Sequence, residues 1–170
     1  MYFLRQLSSA DRADFRALCQ IALTVNPDDF MVTSKEELAI PRLAIEEALE
    51  QPGRGNFFIG AFMDRPAELA GIVGLVTSNL LKTRHCGRIT SLFVHPAHRR
   101  RGVARTLLSR LLDQAAHDCL RIVRLEVVAG NRAAIALYES LGFIPYGREP
   151  AAYRFGDREW DLLLMTRDSQ

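Results

Sequence analysis

The sequence predicts a mixed α/β domain, a central sheet with helices on both faces and a local parallel strand pair. Two observations carry this. Strand-like apolar runs and segments with helical apolar spacing follow one another in the order β-α-α-β-β-β-α-β-α-β-β. In the middle of that order, Cys86 to Val128 form a strand–helix–strand unit, whose right-handed crossover sets its two strands parallel.

The elements follow from local chemistry. "YFLRQL" (Tyr2–Leu7) reads as the first strand. Ser8 or Ser9 caps a helix from about Asp11 to Leu23, with Phe15, Leu18, Ile21 and Ala22 on its apolar face. "NPDDFMVTS" is a loop holding the adjacent acids Asp28 and Asp29, and Ser34 with Glu37 matches a capping box opening a second helix to about Glu50. Pro41 predicts a kink or a split in that helix, and Pro52–Gly55 ends it. Asn56–Met63 and Leu69–Ser78 flank a turn at "DRPAE" and form an antiparallel hairpin. Cys86–Val94 is a strand stopped by Pro96, and a helix from Gly102 to about Asp118 carries Val103, Ala104, Leu107, Leu108, Leu111, Leu112 and Ala115 at helical spacing. Leu120–Val128 is apolar enough for a strand buried on both faces. Asn131 caps a helix to about Leu141, ended by Gly142, and Phe143–Tyr153 and Arg158–Met165 are two last strands joined by "FGD".

Composition narrows the function. The chain has 170 residues, 48% hydrophobic and 25% charged, which suits a single domain over residues 1–170. Its net charge is +2, from 22 basic and 20 acidic side chains, so neither nucleic acid nor a membrane surface is expected as a partner. Cys19, Cys86 and Cys119 form no C-x-x-C pair and read as small core residues. His85, His95, His98 and His117 do not cluster in metal-ligand spacing, and no metal is assigned. With neither a secretory leader nor an apolar run of membrane-spanning length, a cytoplasmic protein is expected.

One stretch breaks a local rule. "HPAHRRRGVARTLL" stacks His98, Arg99, Arg100 and Arg101 at the start of a helix, where the helix dipole disfavours cations. Basic side chains make sense there if an anion arrives, because the first N–H groups of a helix have no partners and a glycine lets a bulky anion approach. A phosphate group is the natural anion, but G-x-x-x-x-G-K-[ST] and G-x-G-x-x-G are both absent.

The spacing Arg99-x-x-Gly102-x-Ala104 resembles the phosphate loop of the GNAT (Gcn5-related N-acetyltransferase) family. "NRAAIALYESLGF" resembles that family's second signature, through Asn131, Ala134, Tyr138, Gly142 and Phe143. The resemblance is specific in the second half of the chain and rests on element order in the first 55 residues. It implies a mostly antiparallel sheet of about seven strands and an acetyl-CoA-dependent N-acetyltransferase, a monomer or a homodimer. The backbone of Arg99, Arg100, Arg101, Gly102, Val103 and Ala104 would surround the diphosphate, with an arginine head, Arg99 or Arg100, on a phosphate. The backbone of Leu92, Phe93 and Val94 would pair with the pantetheine arm, joined by a hydrogen bond from Asn131. Tyr138 would place its hydroxyl at the thioester sulfur, and Glu126 would be the general base.

Each residue also has a plainer reading. The arginines can be a solvated run or a small nucleic-acid patch, Asn131 a helix cap, Tyr138 a packing aromatic, and Glu126 an ion-pair partner of Arg121 or Arg124. The acceptor would be shaped by Asp28, Asp29, Phe30, Arg148, Glu149, Tyr153 and Arg154, and a small amine or an amino acid is favoured over a protein N-terminus. The alternative is a non-catalytic acyl-CoA-binding or sensing domain on the same fold.

Overall fold

The computed structural model describes residues 1–39, 55–64 and 67–168. The strands are β1 (Tyr2–Gln6), β2 (Phe57–Asp64), β3 (Ala67–Thr77), β4 (Cys86–Val94), β5 (Ile122–Val128), β6 (Ile144–Phe155) and β7 (Arg158–Asp168). They form one sheet in the order β1-β2-β3-β4-β5-β7-β6, antiparallel throughout except for the β4–β5 pair. The helices are α1 (Arg12–Val25), α2 (Ser34–Ala39), α3 (Val103–His117) and α4 (Arg132–Glu139). The expected fold class is therefore the observed one. None of the described helices is long and apolar enough to cross a membrane.

The sheet separates two cores. On one face Val103, Leu107, Leu108, Leu111 and Ala115 of α3 pack on Val73, Leu75, Val123 and Leu125, and Tyr138 and Phe143 extend this cluster. On the other, Phe15, Leu18 and Ala22 of α1 pack on Leu7, Phe58, Phe62, Ile72 and Phe93. Each fully buried leucine of α3 contributes about 1.5–3 kcal/mol relative to exposure. Gly74 is required by this packing, since a Cβ there would lie 2.1 Å from the Phe58 ring.

The structure corrects several sequence expectations. β5 is not buried on both faces: Val123, Leu125 and Val127 point into the α3 core, whereas Arg124 and Glu126 are exposed. The reason is coverage, because α1 packs mainly over β3 and β4 rather than β5. Ser8 precedes a short 3-10 turn, Ser9–Asp11, before α1 begins. The capping box of α2 lies one residue earlier than expected: the Glu36 carboxylate accepts from the Thr33 backbone N–H at 2.8 Å, and the Thr33 hydroxyl accepts from the Glu36 N–H at 3.2 Å. Ser34 and Glu37 turn instead to Gln20 of α1; the Ser34 hydroxyl donates to it at 2.6 Å, and Gln20 donates to the buried Glu37 carboxylate. The expected break at Pro41, the helix end near Glu50 and most of Pro52–Gly55 lie outside the described residues. Cys119 is exposed in the turn after α3 rather than in a core, with φ +58°.

Candidate active site

β4 and β5 pair only over Cys86–Arg88 and Ile122–Arg124. Beyond these residues no described pair joins them, and a wedge opens toward their carboxyl ends. A bulge in β4 accompanies the opening. Ile72 faces Phe93 and Gly74 faces Thr90, so Ser91 and Leu92 together oppose Val73, and Ser91 takes φ +55°. Such bulges twist a strand, and positive φ in a non-glycine residue is a strained state that the surrounding structure must hold in place. The helices that follow the two strands, α3 and α4, start on either side of this wedge.

On the β4 side the chain turns through a 3-10 segment, Pro96–His98. Arg99 is extended, Arg100 has φ +63° and Gly102 has φ +79°, the left-handed state that favours glycine. The basic run therefore precedes α3 rather than forming its first turn; Gly102 is the N-cap and Val103 the first helical residue. Nothing lies within 4 Å of where a Gly102 Cβ would stand, so the backbone at the start of α3 is open to a ligand. Arg99 is committed to the protein. Its Nε donates to the Val94 carbonyl at 3.0 Å, its Nη2 donates to Asn26 Oδ1 at 2.7 Å, and its guanidinium lies 5.3 Å from the Phe93 ring centre. Arg100 and Arg101 are exposed. Phe93, Val94 and Val103 are buried, and Leu92 and Ala104 pack partly on the core, so only backbone groups of these five residues face the wedge as polar partners.

On the β5 side Asn131 caps α4, its Oδ1 accepting from the Ala134 N–H at 3.1 Å. Its Nδ2 donates to Asp29 Oδ1 at 3.0 Å, while Asp29 Oδ2 accepts from Asn26 Nδ2 at 3.0 Å. A hydrogen-bonded strap thus runs Val94–Arg99–Asn26–Asp29–Asn131, from one side of the wedge to the other. The Phe30 ring meets Phe93 edge-on at 6.4 Å beneath it. Asp28 is paired separately, with Arg158 at 2.5 Å. Both acids of this loop are therefore held by the protein itself.

Tyr138 lies seven residues along from Asn131 and is 6% exposed, its ring edge-on to Phe143 at 5.9 Å. Its hydroxyl makes no hydrogen bond among the described residues. Burial, reinforced by the charge of Asp29, pushes that hydroxyl well above the ordinary tyrosine range, so it stays protonated. Glu126 pairs with Arg88, Nη1 to Oε1 at 3.0 Å, not with Arg121 or Arg124. Register places Leu164 of β7 beside Glu126, and Gly147 of β6 beside Leu164. Tyr153 of β6 is pushed up by burial and then by the charges of Glu126 and Glu149. Arg148 is held by Asp161 at 2.5 Å.

Two of the histidines do come together, contrary to their reading by spacing. Ligand atoms of His95, His98 and Glu68 lie within 4.8 Å of one another. His95 Nδ1 accepts from the Ala97 N–H at 3.2 Å, which fixes the turn and leaves the proton of a neutral ring on Nε2.

Sequence reasoning missed Asn26, Arg88 and the Ser91 bulge. Asn26 and Arg88 belong to no motif, and nothing in "RITSLFV" marks the bulge.

Fold and wedge define the class, an α/β protein with a ligand crevice at the carboxyl ends of an opened parallel strand pair. Comparison with known proteins gives the family. The sequence profile of the Acetyltransferase (GNAT) family matches residues 16–143, and the chain belongs to this family. It is 47% identical over 76 residues to the [ribosomal protein bS18]-alanine N-acetyltransferase of Escherichia coli strain K12, covering 45% of this chain and 51% of that one. It is 40% identical over 77 residues to the L-amino acid N-acyltransferase MnaT of the same strain, covering 44% of each. The matched stretches thus span about half the length of these relatives. The fold is that of a GNAT superfamily phosphinothricin acetyltransferase from Sinorhizobium meliloti in complex with AcCoA, with TM-score 0.83, 21% identity, and coverage of 98% of this chain and 88% of that one.

Proposed function

We propose that this protein is an acetyl-CoA-dependent N-acetyltransferase that transfers the acetyl group directly to a primary amine, with no acyl-enzyme. A small amine or an amino acid is the acceptor. The observation that carries this reading is Gly102: a left-handed N-cap with open space at its Cβ position, at the carboxyl end of β4 where β4 leaves β5. Family membership and the acetyl-CoA-bound structural neighbour support it.

In this reading the N–H groups of the Arg99–Ala104 stretch bind the diphosphate, that of Arg99 itself already donating to the Pro96 carbonyl at 3.3 Å, with the exposed Arg100 and Arg101 as cations beside it. The edge of β4 at Leu92–Val94, unpaired with β5, takes the pantetheine amides as an added strand would. Asn131 has both side-chain atoms engaged, so it acts by fixing the start of α4 and offers a ligand only what its existing bonds can share.

The amine nitrogen attacks the thioester carbonyl carbon. A C–N bond forms, the C–S bond breaks, and the departing thiolate takes its proton from water. The amine's own proton leaves through water to Glu126. A backbone N–H from the Phe93–Val94 stretch of β4 stabilises the oxyanion of the tetrahedral intermediate. Tyr138 donates a hydrogen bond to sulfur as charge develops there. With its affinity for the proton raised by burial, complete transfer to a thiolate of ordinary pKa about 8.5 is uphill by more than about 2 kcal/mol, so the hydroxyl acts as a donor rather than as a full acid in the unliganded geometry.

The test is direct. Calorimetry with acetyl-CoA should give tight binding, and release of free thiol across a panel of amines should identify an acceptor. Tight binding without thiol release from any amine would favour the sensing domain instead.

A further inference from the structure

Where β4 and β5 part, one ion pair stands open. Arg88 is the last β4 residue in register with β5, opposite Arg124, and Glu126 lies two residues further along β5. Their side chains are 65% and 37% exposed and meet at 3.0 Å. An exposed pair of this kind contributes about 0–1 kcal/mol, so exchanging its partners costs little. Of the neighbouring charges, Arg124, opposite Arg88, lies over the Tyr146 ring, and Glu149 acts together with Glu126 on the Tyr153 hydroxyl. Arg88 and Glu126 present opposite charges side by side, and neither has a second polar partner among the described residues.

An α-amino acid carries an ammonium and a carboxylate on one carbon, their N and O atoms about 3 Å apart by covalent geometry. This matches the separation of the Arg88 and Glu126 charges, with each sign opposed. The row beside Glu126 is formed by Leu164 and Gly147, the Leu164 side chain lying over the glycine, so the surface next to the ion pair is apolar. Resting on the acetyl-transfer reading above, we infer that the acceptor is a free α-amino acid whose carboxylate is bound by Arg88 in place of Glu126. The guanidinium fork takes the carboxylate bidentately. Glu126, released from its ion pair, then faces the amine and receives its proton, so the base is freed by the same group that identifies the substrate. A peptide N-terminus, with an amide in place of the carboxylate, makes no such exchange. Neither does a simple alkylamine.

The experiment measures thiol release from acetyl-CoA with L-alanine, L-leucine and L-methionine, each beside its carboxamide and its decarboxylated amine. Wild-type protein should prefer the amino acids in kcat/KM by at least tenfold. Arg88→Ala should collapse that ratio at least tenfold, through a raised KM for the amino acids, and Arg88→Lys should restore part of it. Arg88 is exposed, so the variant should melt with wild-type protein, and a coincident melt excludes misfolding as the cause. The inference is overturned if the wild-type protein uses the amines or carboxamides as well as the acids, or if the preference survives in Arg88→Ala. Both of those outcomes leave acetyl transfer intact. Thiol release from no acceptor of any class would instead overturn the acetyl-transfer reading, and this inference with it.

Discussion

Asn131 and Asp29 are 102 positions apart in sequence and 3.0 Å apart in space, joined by a hydrogen bond from the asparagine nitrogen to the aspartate. The same asparagine caps α4 through its oxygen, and the same aspartate receives Asn26. Through Asn26 and Arg99 this bond ties the start of α4 to the turn before α3, across the open end of the β4–β5 wedge. Removing the cap in Asn131→Ala should destabilise the fold by about 1 kcal/mol. Asp29→Ala should also destabilise, and the double variant should fall short of the sum by about 1 kcal/mol. Denaturant unfolding of the three variants measures this; strictly additive effects would mean that the strap is not formed in solution.

Gly102 should be intolerant of a side chain for two separable reasons. Its φ of +79° strains any β-branched residue by about 1–2 kcal/mol, which appears as lost stability. A valine also fills the open space at the start of α3, and Gly102→Val should weaken acetyl-CoA binding at least tenfold, or about 1.4 kcal/mol. Calorimetry on folded variant protein decides it, and an unchanged affinity would remove the phosphate loop from this stretch.

Glu126→Gln should lower turnover near neutral pH and recover part of it at high pH, where a free amine is already neutral. The side chain is partly exposed and pairs with Arg88, so the variant should fold normally. A pH–rate profile superimposable on that of wild-type protein would reduce Glu126 to a structural partner of Arg88.

Tyr138→Phe keeps the packing against Phe143 and removes only the hydroxyl. We expect kcat to fall about ten- to a thousandfold with little change in acetyl-CoA affinity, the signature of a group that acts mainly in the transition state. Because burial holds the hydroxyl protonated beyond the ordinary tyrosine range, wild-type activity should show no alkaline loss from Tyr138 ionisation up to pH about 10. Wild-type turnover by the variant, with chemistry rate-limiting, would mean that Tyr138 makes no hydrogen bond to the sulfur in the transition state.

Asp11 governs acid stability. Two charge-assisted bonds from Arg5, at 2.6 and 2.8 Å, lower its pKa to about 2, assisted by the Ser8 backbone N–H at 2.8 Å. A depressed carboxylate adds stability above its unfolded pKa near 4 and loses it as pH falls through about 2, because the unfolded chain binds the proton first. Asp11→Asn should therefore cost about 1–2 kcal/mol at neutral pH, allowing for the half-exposed Arg5, and nothing below pH about 2. Urea midpoints of both proteins from pH 7 to 2 should converge; parallel curves would contradict the assignment.

Residues adjacent in sequence determined much of this protein. The apolar stripe from Val103 to Ala115 was enough to place α3, and the crossover from Cys86 to Val128 enough to set β4 and β5 parallel. Arg99-x-x-Gly102-x-Ala104 and the asparagine–tyrosine signature belong to the same kind, because a left-handed glycine turn before a helix and a tyrosine on a capped helix are each written within a few consecutive residues. Periodicity and turn chemistry act over that range. The tertiary structure decided which side chains are free to work. Arg99 looked like a phosphate ligand and is bound to Val94 and Asn26; Asp28 and Asp29 looked like plain loop acids and are held by Arg158, Asn26 and Asn131; Glu126 looked buried and is exposed with Arg88. Partners such as these come from elements far apart in the chain, and their meeting depends on strand register, on a one-residue bulge at Ser91 and on how far α1 extends across the sheet. A shift of one residue in a strand turns its side chains to the opposite face, so local pattern leaves the choice of partner to the packing of the whole.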